Sequence, residues 1–429
     1  MIGIIMFAAA LVLLLVGFPV AFTFGSVAVF FGVFSEGTGM FAMMPHRIWA
    51  IMNNTILMAI PLFIFMGIVL QKSKLAERLL ESMGFLFGEV RGGIAISTVL
   101  VGALLAASTG VVGASVVAMG VISLPVMLKY KYDKRLSCGA ICAAGTLGQI
   151  IPPSIVLIIL GDVFQEPVGD LFKAAFWPGF VLVAFYVIYI LIITAMRKEL
   201  APPVRLENNT QTKPQQIKTA LKAIVPPLTL IVLVLGSILF GVATPTESSS
   251  VGGIGALVLA FLYRQLSFRM VKESALETIK VSAMVFAILI GATAFSMVFT
   301  YTGGDIIVED FMMNLPGDKW GFIVLSMMVI MALGFFIDFV EISYIIVPIL
   351  APIAANLGIN PIWYAILIAM NLQTSFLTPP FGFSLFYLKG VAPPEVSTMD
   401  IYKGVMPFIG LQVIVLAIVA LFPGLFGMG

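Results

Sequence analysis

The sequence predicts an all-α polytopic membrane protein made of two inverted-topology repeats, each with a re-entrant hairpin and a broken helix. Three observations predict it. First, the 429 residues are 61% hydrophobic and 10% charged, and apolar runs of about 20 residues, the length that crosses a bilayer, recur throughout. Second, Pro152-Pro153 and Pro379-Pro380 interrupt two such runs 227 residues apart, and Pro125 and Pro352 stand at the same spacing. Third, the loops alternate in charge in the way that the positive-inside rule requires. A transmembrane β-barrel is excluded, because runs such as "MFAAALVLLLVGFPVAF" do not alternate apolar with polar residues.

In chain order, the candidate spans are residues 2–34, 52–71, 93–127 (broken), 136–165 (broken), 174–196, 223–241, 246–264, 276–300, 320–357 (broken), 361–390 (broken) and 402–425. The opening stretch has neither a basic n-region nor an A-x-A site, so it reads as a span and not as a removable signal. His46 reads as a loop residue. Within 72–89, Leu75, Leu79 and Met83 recur at helical spacing between charges. This fits an amphipathic helix along the membrane interface or a plain surface loop.

Cys138 and Cys142, at i and i+4, read as small packing residues, since two thiols without histidines make a poor metal site. Residues 197–222 hold six Lys/Arg against two Glu. They form the midpoint linker and the best cytoplasmic marker. Alternating spans then place the basic stretches 72–78, 128–135 and 263–272 on the same side, and the acidic stretch 302–318, with Asp305, Glu309, Asp310 and Asp318, on the other. The count closes only if 93–127 and 320–357 each enter and return on one side.

The repeat gives the prolines a role. Backbone freed from a helix at membrane depth survives only where protein buries it or where it lines a watery cavity. Gly145, Thr146, Gly148 and Ser154 surround the first break, and Thr374, Ser375, Thr378 and Gly382 the second. Freed carbonyls and hydroxyls suit a hard cation such as Na⁺, while half-helix N-termini following Pro152 and Pro379 attract anions.

Ser108, Thr109, Gly110 and Ser115 form a candidate tip for the first hairpin, or a small-residue packing face. In the second hairpin, Asp338 and Glu341 stand in an apolar segment, where function is the default reading; neutralised or turn-capping carboxylates are the structural alternative. Glu247 in "ATPTESS" reads as a helix cap or a functional carboxylate.

A net charge of +2 gives no sign of a nucleic-acid partner. Intramembrane enzymes are disfavoured too. A single histidine supplies no Ser-His pair, and aspartate-rich Mg²⁺ motifs are absent.

Together "GTLGQIIPPS", "LTPPFG", "ATPTESS", "NTILMAIPLFIFMG" and the Asp338 hairpin closely resemble the large membrane subunit of tripartite ATP-independent periplasmic (TRAP) transporters, the DctM family, over essentially the full length. The resemblance implies a sodium-coupled importer of carboxylates such as C4-dicarboxylates, sialic acid or other sugar acids, in a bacterial inner membrane and without an enzymatic cofactor. It also implies an elevator mechanism, a small four-helix membrane partner and a periplasmic binding protein.

In that scheme, 1–92 and 223–319 are scaffold and arms, 93–172 and 320–400 are the halves of a transport domain, 173–222 connects them, and 401–429 is a C-terminal helix. Sodium then lies between each hairpin tip and its broken helix. That maps to Ser108, Thr109, Gly110, Ser115, Gly145, Thr146 and Gly148 in one half, and to Asp338, Glu341, Ser343, Thr374, Ser375 and Thr378 in the other. Ser108, Pro152, Ser154, Pro379 and Gly382 face the substrate. No Arg or Lys precedes Lys389 in either broken helix, which leaves a carboxylate to half-helix N-termini and hydroxyls. A stand-alone Na⁺/carboxylate symporter of the same superfamily is the alternative.

Overall fold

Proline lacks the amide hydrogen that continues a helix, and the chain stops its helices at both double prolines. The computed structural model describes residues 1–87, 89–203 and 213–428, apart from the side chains of residues 76, 85, 108, 213, 214 and 216. The linker residues 204–212 thus lie outside the described residues. Secondary structure is helical among the described residues, and six helices are long and apolar enough to cross a membrane.

The first segment is α1 (Ile2–Val16) and α2 (Val20–Glu36). The expected single span over 2–34 is therefore two helices, because Gly17 ends α1 at φ +98° and Pro19 precedes α2. Both pack on a later helix, α13 (Phe268–Tyr301). Phe7 meets Phe299 and Phe24 meets Phe295, with centroids 6.4 and 4.9 Å apart.

Next come α3 (Met44–Met52), α4 (Ala59–Lys72) and α5 (Leu75–Phe87). His46 is exposed on α3 and not in a loop, because Pro45 opens a helix there. The amphipathic segment is helical as α5, but Leu75, Leu79 and Met83 are buried, and α5 packs on α6 (Gly93–Thr109) and α11 (Lys213–Leu239). Protein covers that face.

Then follow α6 (Gly93–Thr109), α7 (Val112–Lys129), α8 (Lys134–Thr146), α9 (Ile155–Phe164) and α10 (Val168–Met196). α6 and α7 form a hairpin whose base is closed where the Ile94 amide donates to the Tyr132 phenol oxygen at 3.3 Å. Cys138 and Cys142 are buried on α8 as packing residues.

The second half contains α11 (Lys213–Leu239), α12 (Pro245–Leu262), α13 (Phe268–Tyr301), α14 (Gly304–Met313) and α15 (Asp318–Leu333). α11 begins inside the expected linker, and α14 occupies the acidic stretch. Glu247 proves to be a cap. Its Oε2 accepts from the Thr244 amide at 2.8 Å, while the Glu247 amide donates to Thr244 Oγ1 at 3.3 Å.

The chain ends with α16 (Phe339–Glu341), a π-helical turn (Ile342–Ile346), α17 (Val347–Asn356), α18 (Pro361–Leu377), α19 (Phe383–Val391) and α20 (Thr398–Leu421).

Two packing groups result. α2, α4, α5, α11, α12 and α13 pack in succession, α6–α10 pack with α15–α20, and the two groups meet where α6 lies on α4 and α5 and where α13 lies on α16 and the π-helical turn. Small residues allow the closest crossings, as where Gly139 of α8 lies on the Gly404 carbonyl of α20.

Candidate functional site

Breaking a helix frees carbonyls that something must satisfy. In the first broken helix a 3₁₀ turn (Leu147–Gln149) follows Thr146, and helix resumes after Ser154. Ser154 Oγ donates to the Gln149 carbonyl at 2.7 Å and accepts from the Leu157 amide at 3.5 Å. Its hydroxyl therefore bridges the gap and caps α9. In the second, Ser384 Oγ donates to the Phe376 carbonyl at 2.7 Å. Gln149 and Phe376 each stand three residues before the first proline, so both breaks are bridged at the same place.

The remaining hydroxyls donate to their own helices. Thr146 reaches the Ala143 carbonyl at 2.9 Å, Thr374 that of Met370 at 2.8 Å, Ser375 that of Leu372 at 2.7 Å and Thr378 that of Thr374 at 2.7 Å. A hydroxyl whose hydrogen is committed to a carbonyl keeps lone pairs for a cation. Gly382 is needed for the chain to fold back, since a Cβ there would lie 2.6 Å from the Phe376 carbonyl oxygen. Pro152 is buried and Pro379 half-buried.

The first hairpin tip lies against the start of α9. Gly110 ends α6 at φ +63°, and a Cβ on it would sit 2.9 Å from Ile155 Cγ1. Thr109 and Ser115 bond through their hydroxyls at 2.8 Å, and Ser115 also donates to the Val111 carbonyl at 3.2 Å. The side chain of Ser108 lies outside the described residues. Gly148 brings the hairpin onto the break, because a Cβ there would stand 2.6 Å from the Ala106 carbonyl oxygen. Gly145 likewise backs onto Val116.

The second tip is residues 334–338. Gly334 backs onto Ser375 Oγ, and Asn371 Nδ2 donates to the Met327 carbonyl at 2.7 Å, which ties this hairpin to its broken helix. Asp338 Oδ1 accepts from the Phe339 amide at 2.7 Å, so this residue caps the returning arm. Glu341 is only 4% exposed, and its Oε2 and the buried Ser343 Oγ have no hydrogen-bond partner among the described residues. Both lie at the π-helical turn, an irregularity frequent at functional sites.

The halves interlock. α9 packs on α16, the π-helical turn and α17, while α19 packs on α7, where Gly113 makes room for the Tyr387 ring. Sequence reasoning missed several polar groups here. Gln412 Nε2 donates to the Tyr186 phenol at 2.7 Å and to Thr146 Oγ1 at 3.4 Å, Gln373 is buried beside the same phenol, and Gln149 is buried with neither amide atom paired among the described residues. No local pattern marks such residues. Among the described residues no group of three or more His, Cys, Asp or Glu gathers, so a cation here would rely chiefly on neutral oxygens.

Residues 7–425 match the family profile described as "Tripartite ATP-independent periplasmic transporter, DctM component". The chain belongs to that family. It is similar to the C4-dicarboxylate TRAP transporter large permease protein of Pseudomonas aeruginosa, at 32% identity over 86% of this chain and 84% of the relative. It is also similar to the sialic acid TRAP transporter large permease protein of Vibrio cholerae, at 27% identity over 96% and 94%. Among solved structures, the Alcanivorax borkumensis YdaH transporter shares the fold with a TM-score of 0.64 at 13% identity, covering 97% of this chain and 98% of that one. As a TRAP large permease the chain is a multi-pass membrane transport subunit and not an enzyme.

Proposed function

We propose that this TRAP large subunit imports carboxylate solutes, of the C4-dicarboxylate or sugar-acid kind, by coupling them to Na⁺ in a bacterial inner membrane. The observation that carries the reading is the pair of bridged helix breaks, each lined by buried hydroxyls with free lone pairs and each covered by a hairpin tip. Na⁺ takes oxygen ligands, and the half-helix N-termini beyond the prolines favour an anion beside it. In the first half, Thr109, Gly110, Ser115, Gly145, Thr146 and Gly148 hold the ion, joined by Ser108. In the second, Asp338, Glu341, Ser343, Thr374, Ser375 and Thr378 do so. Pro152 and Pro379 set the anion-facing ends.

The two halves are inverted repeats. α6–α9 and α15–α19 move as an elevator against a scaffold of the remaining helices, with α10 as the connector, α20 as the C-terminal helix and the basic loops in the cytoplasm. A small four-helix membrane subunit completes the permease. A periplasmic binding protein delivers the solute and supplies much of the selectivity.

The test is uptake into proteoliposomes holding this chain and its small partner, with binding protein outside. Accumulation of labelled succinate or N-acetylneuraminate that requires both the inward Na⁺ gradient and the binding protein supports the reading. Uptake indifferent to the gradient contradicts the coupling, and uptake without the binding protein favours the stand-alone symporter.

A further inference from the structure

The cations of the two broken helices are engaged away from the breaks, Lys134 with the Glu395 carbonyl at 2.6 Å, Arg135 with Asp400 at 3.8 Å and Lys389 with the Val396 carbonyl at 2.7 Å, but another cation stands opposite the first hairpin tip. A cleft of about 280 Å³ separates that tip from α4 and α13, and its lining includes Thr109, Val111 and Ala114 of the hairpin and Gln71, Glu277 and Lys280 across from them. The charges beside it are largely spoken for. Lys72 Nζ pairs with Glu277 Oε1 at 2.7 Å and Glu273 Oε2 at 3.5 Å, and Arg269 Nε pairs with Glu273 Oε1 at 2.8 Å. Lys280 makes no ion pair or hydrogen bond among the described residues. A carboxylate entering the cleft therefore meets one unpaired ammonium at Lys280, one amide at Gln71 and one tip hydroxyl at Thr109, while the Glu277 carboxylate in the same lining is already paired with Lys72.

We propose that Lys280 is the carboxylate-holding residue of this cleft, with Gln71 beside it, and that it engages the solute only in the state in which the first hairpin faces α4 and α13. The inference rests on the carboxylate-transport reading above. Its physical content is that the charge selecting for a carboxylate sits on α13, outside the hairpins and broken helices. The carboxylate then gains its partner on the side where Lys72 and Arg269 also lie. A point charge on a flexible stem suits such a passing contact, because it accepts many carboxylate geometries.

The experiment compares wild type, Lys280→Gln and Lys280→Arg in proteoliposomes with the small subunit and binding protein. The probes are labelled succinate and N-acetylneuraminate, with neutral N-acetylmannosamine as control. Lys280→Gln is expected to raise the concentration for half-maximal transport of the carried carboxylate by about tenfold, the loss that one charge-assisted hydrogen bond gives. Lys280→Arg should stay near wild type, and Na⁺ activation should be unchanged in both. Wild-type uptake with Lys280→Gln indistinguishable from it overturns the inference and leaves the proposed function standing. Wild type carrying only the neutral sugar overturns both.

Discussion

Asn54 Nδ2 donates to Asp162 Oδ1 at 2.6 Å, tying the turn before α4 to the far end of the first broken helix. Asn54 Oδ1 in turn accepts from the Ile56 amide at 2.9 Å, which holds the turn in shape. This bond joins the two packing groups directly. If α6–α9 slide against α4, it breaks. Asn54→Ala should therefore depopulate the present arrangement by roughly 10- to 150-fold, since a bond to a charged group contributes about 1.5–3 kcal/mol. Spin-label distances between α4 and α9 read the population, and an unshifted distribution counts against the sliding.

Glu341→Gln keeps the volume and removes the charge. On the proposed function the orphaned Oε2 holds the ion with Ser343, so the variant should fold and weaken Na⁺ activation by about tenfold, the loss that one charged contact gives. A titration of uptake against Na⁺ checks it. An unchanged titration means that the carboxyl is structural.

Ser154→Ala separates a fold role from a solute role. Its hydroxyl bridges the break and caps α9, so its loss should cost about 0.5–2 kcal/mol of stability. Solute affinity should hold. Thermal unfolding in detergent beside a binding isotherm distinguishes the two, and a lost affinity at unchanged stability restores Ser154 to the substrate.

Gly148→Ala places a Cβ 2.6 Å from the Ala106 carbonyl oxygen. Backbone cannot swing aside as a side chain does, so the hairpin must shift, and about 1–3 kcal/mol of stability should go with it. Gly110→Ala meets a side chain, Ile155, but at φ +63°, where a Cβ adds about 1–2 kcal/mol of its own. Both variants should lose Na⁺ activation along with stability. Either one retaining full activation removes the tip from the site.

How much of this was legible in the sequence follows from the range of each signal. The breaks at Pro152 and Pro379, the tip at Gly110 and the cap at Glu247 are local, and local chemistry marks them. His46 and the helix break at Gly17 were legible too, since Pro45 and Gly17-Phe18-Pro19 are helix start and stop signals; long apolar runs obscured them. Ser154 has a helix-capping position as well as a place beside the break, and the sequence does not rank the two. Nothing local links Asn54 with Asp162 or Gln412 with Thr146, or brings Lys280 to the cleft that Thr109 lines. Those pairings exist only once helices far apart in sequence are packed.

The most direct test of the central claim, that the bridged breaks hold the coupling ion, is equilibrium binding of radiolabelled sodium to the purified subunit pair. The account predicts saturable binding that weakens in Thr378→Ala and Thr109→Ala while both variants remain folded. Absence of sodium binding in the wild type, or binding equal to wild type in both variants, would contradict it.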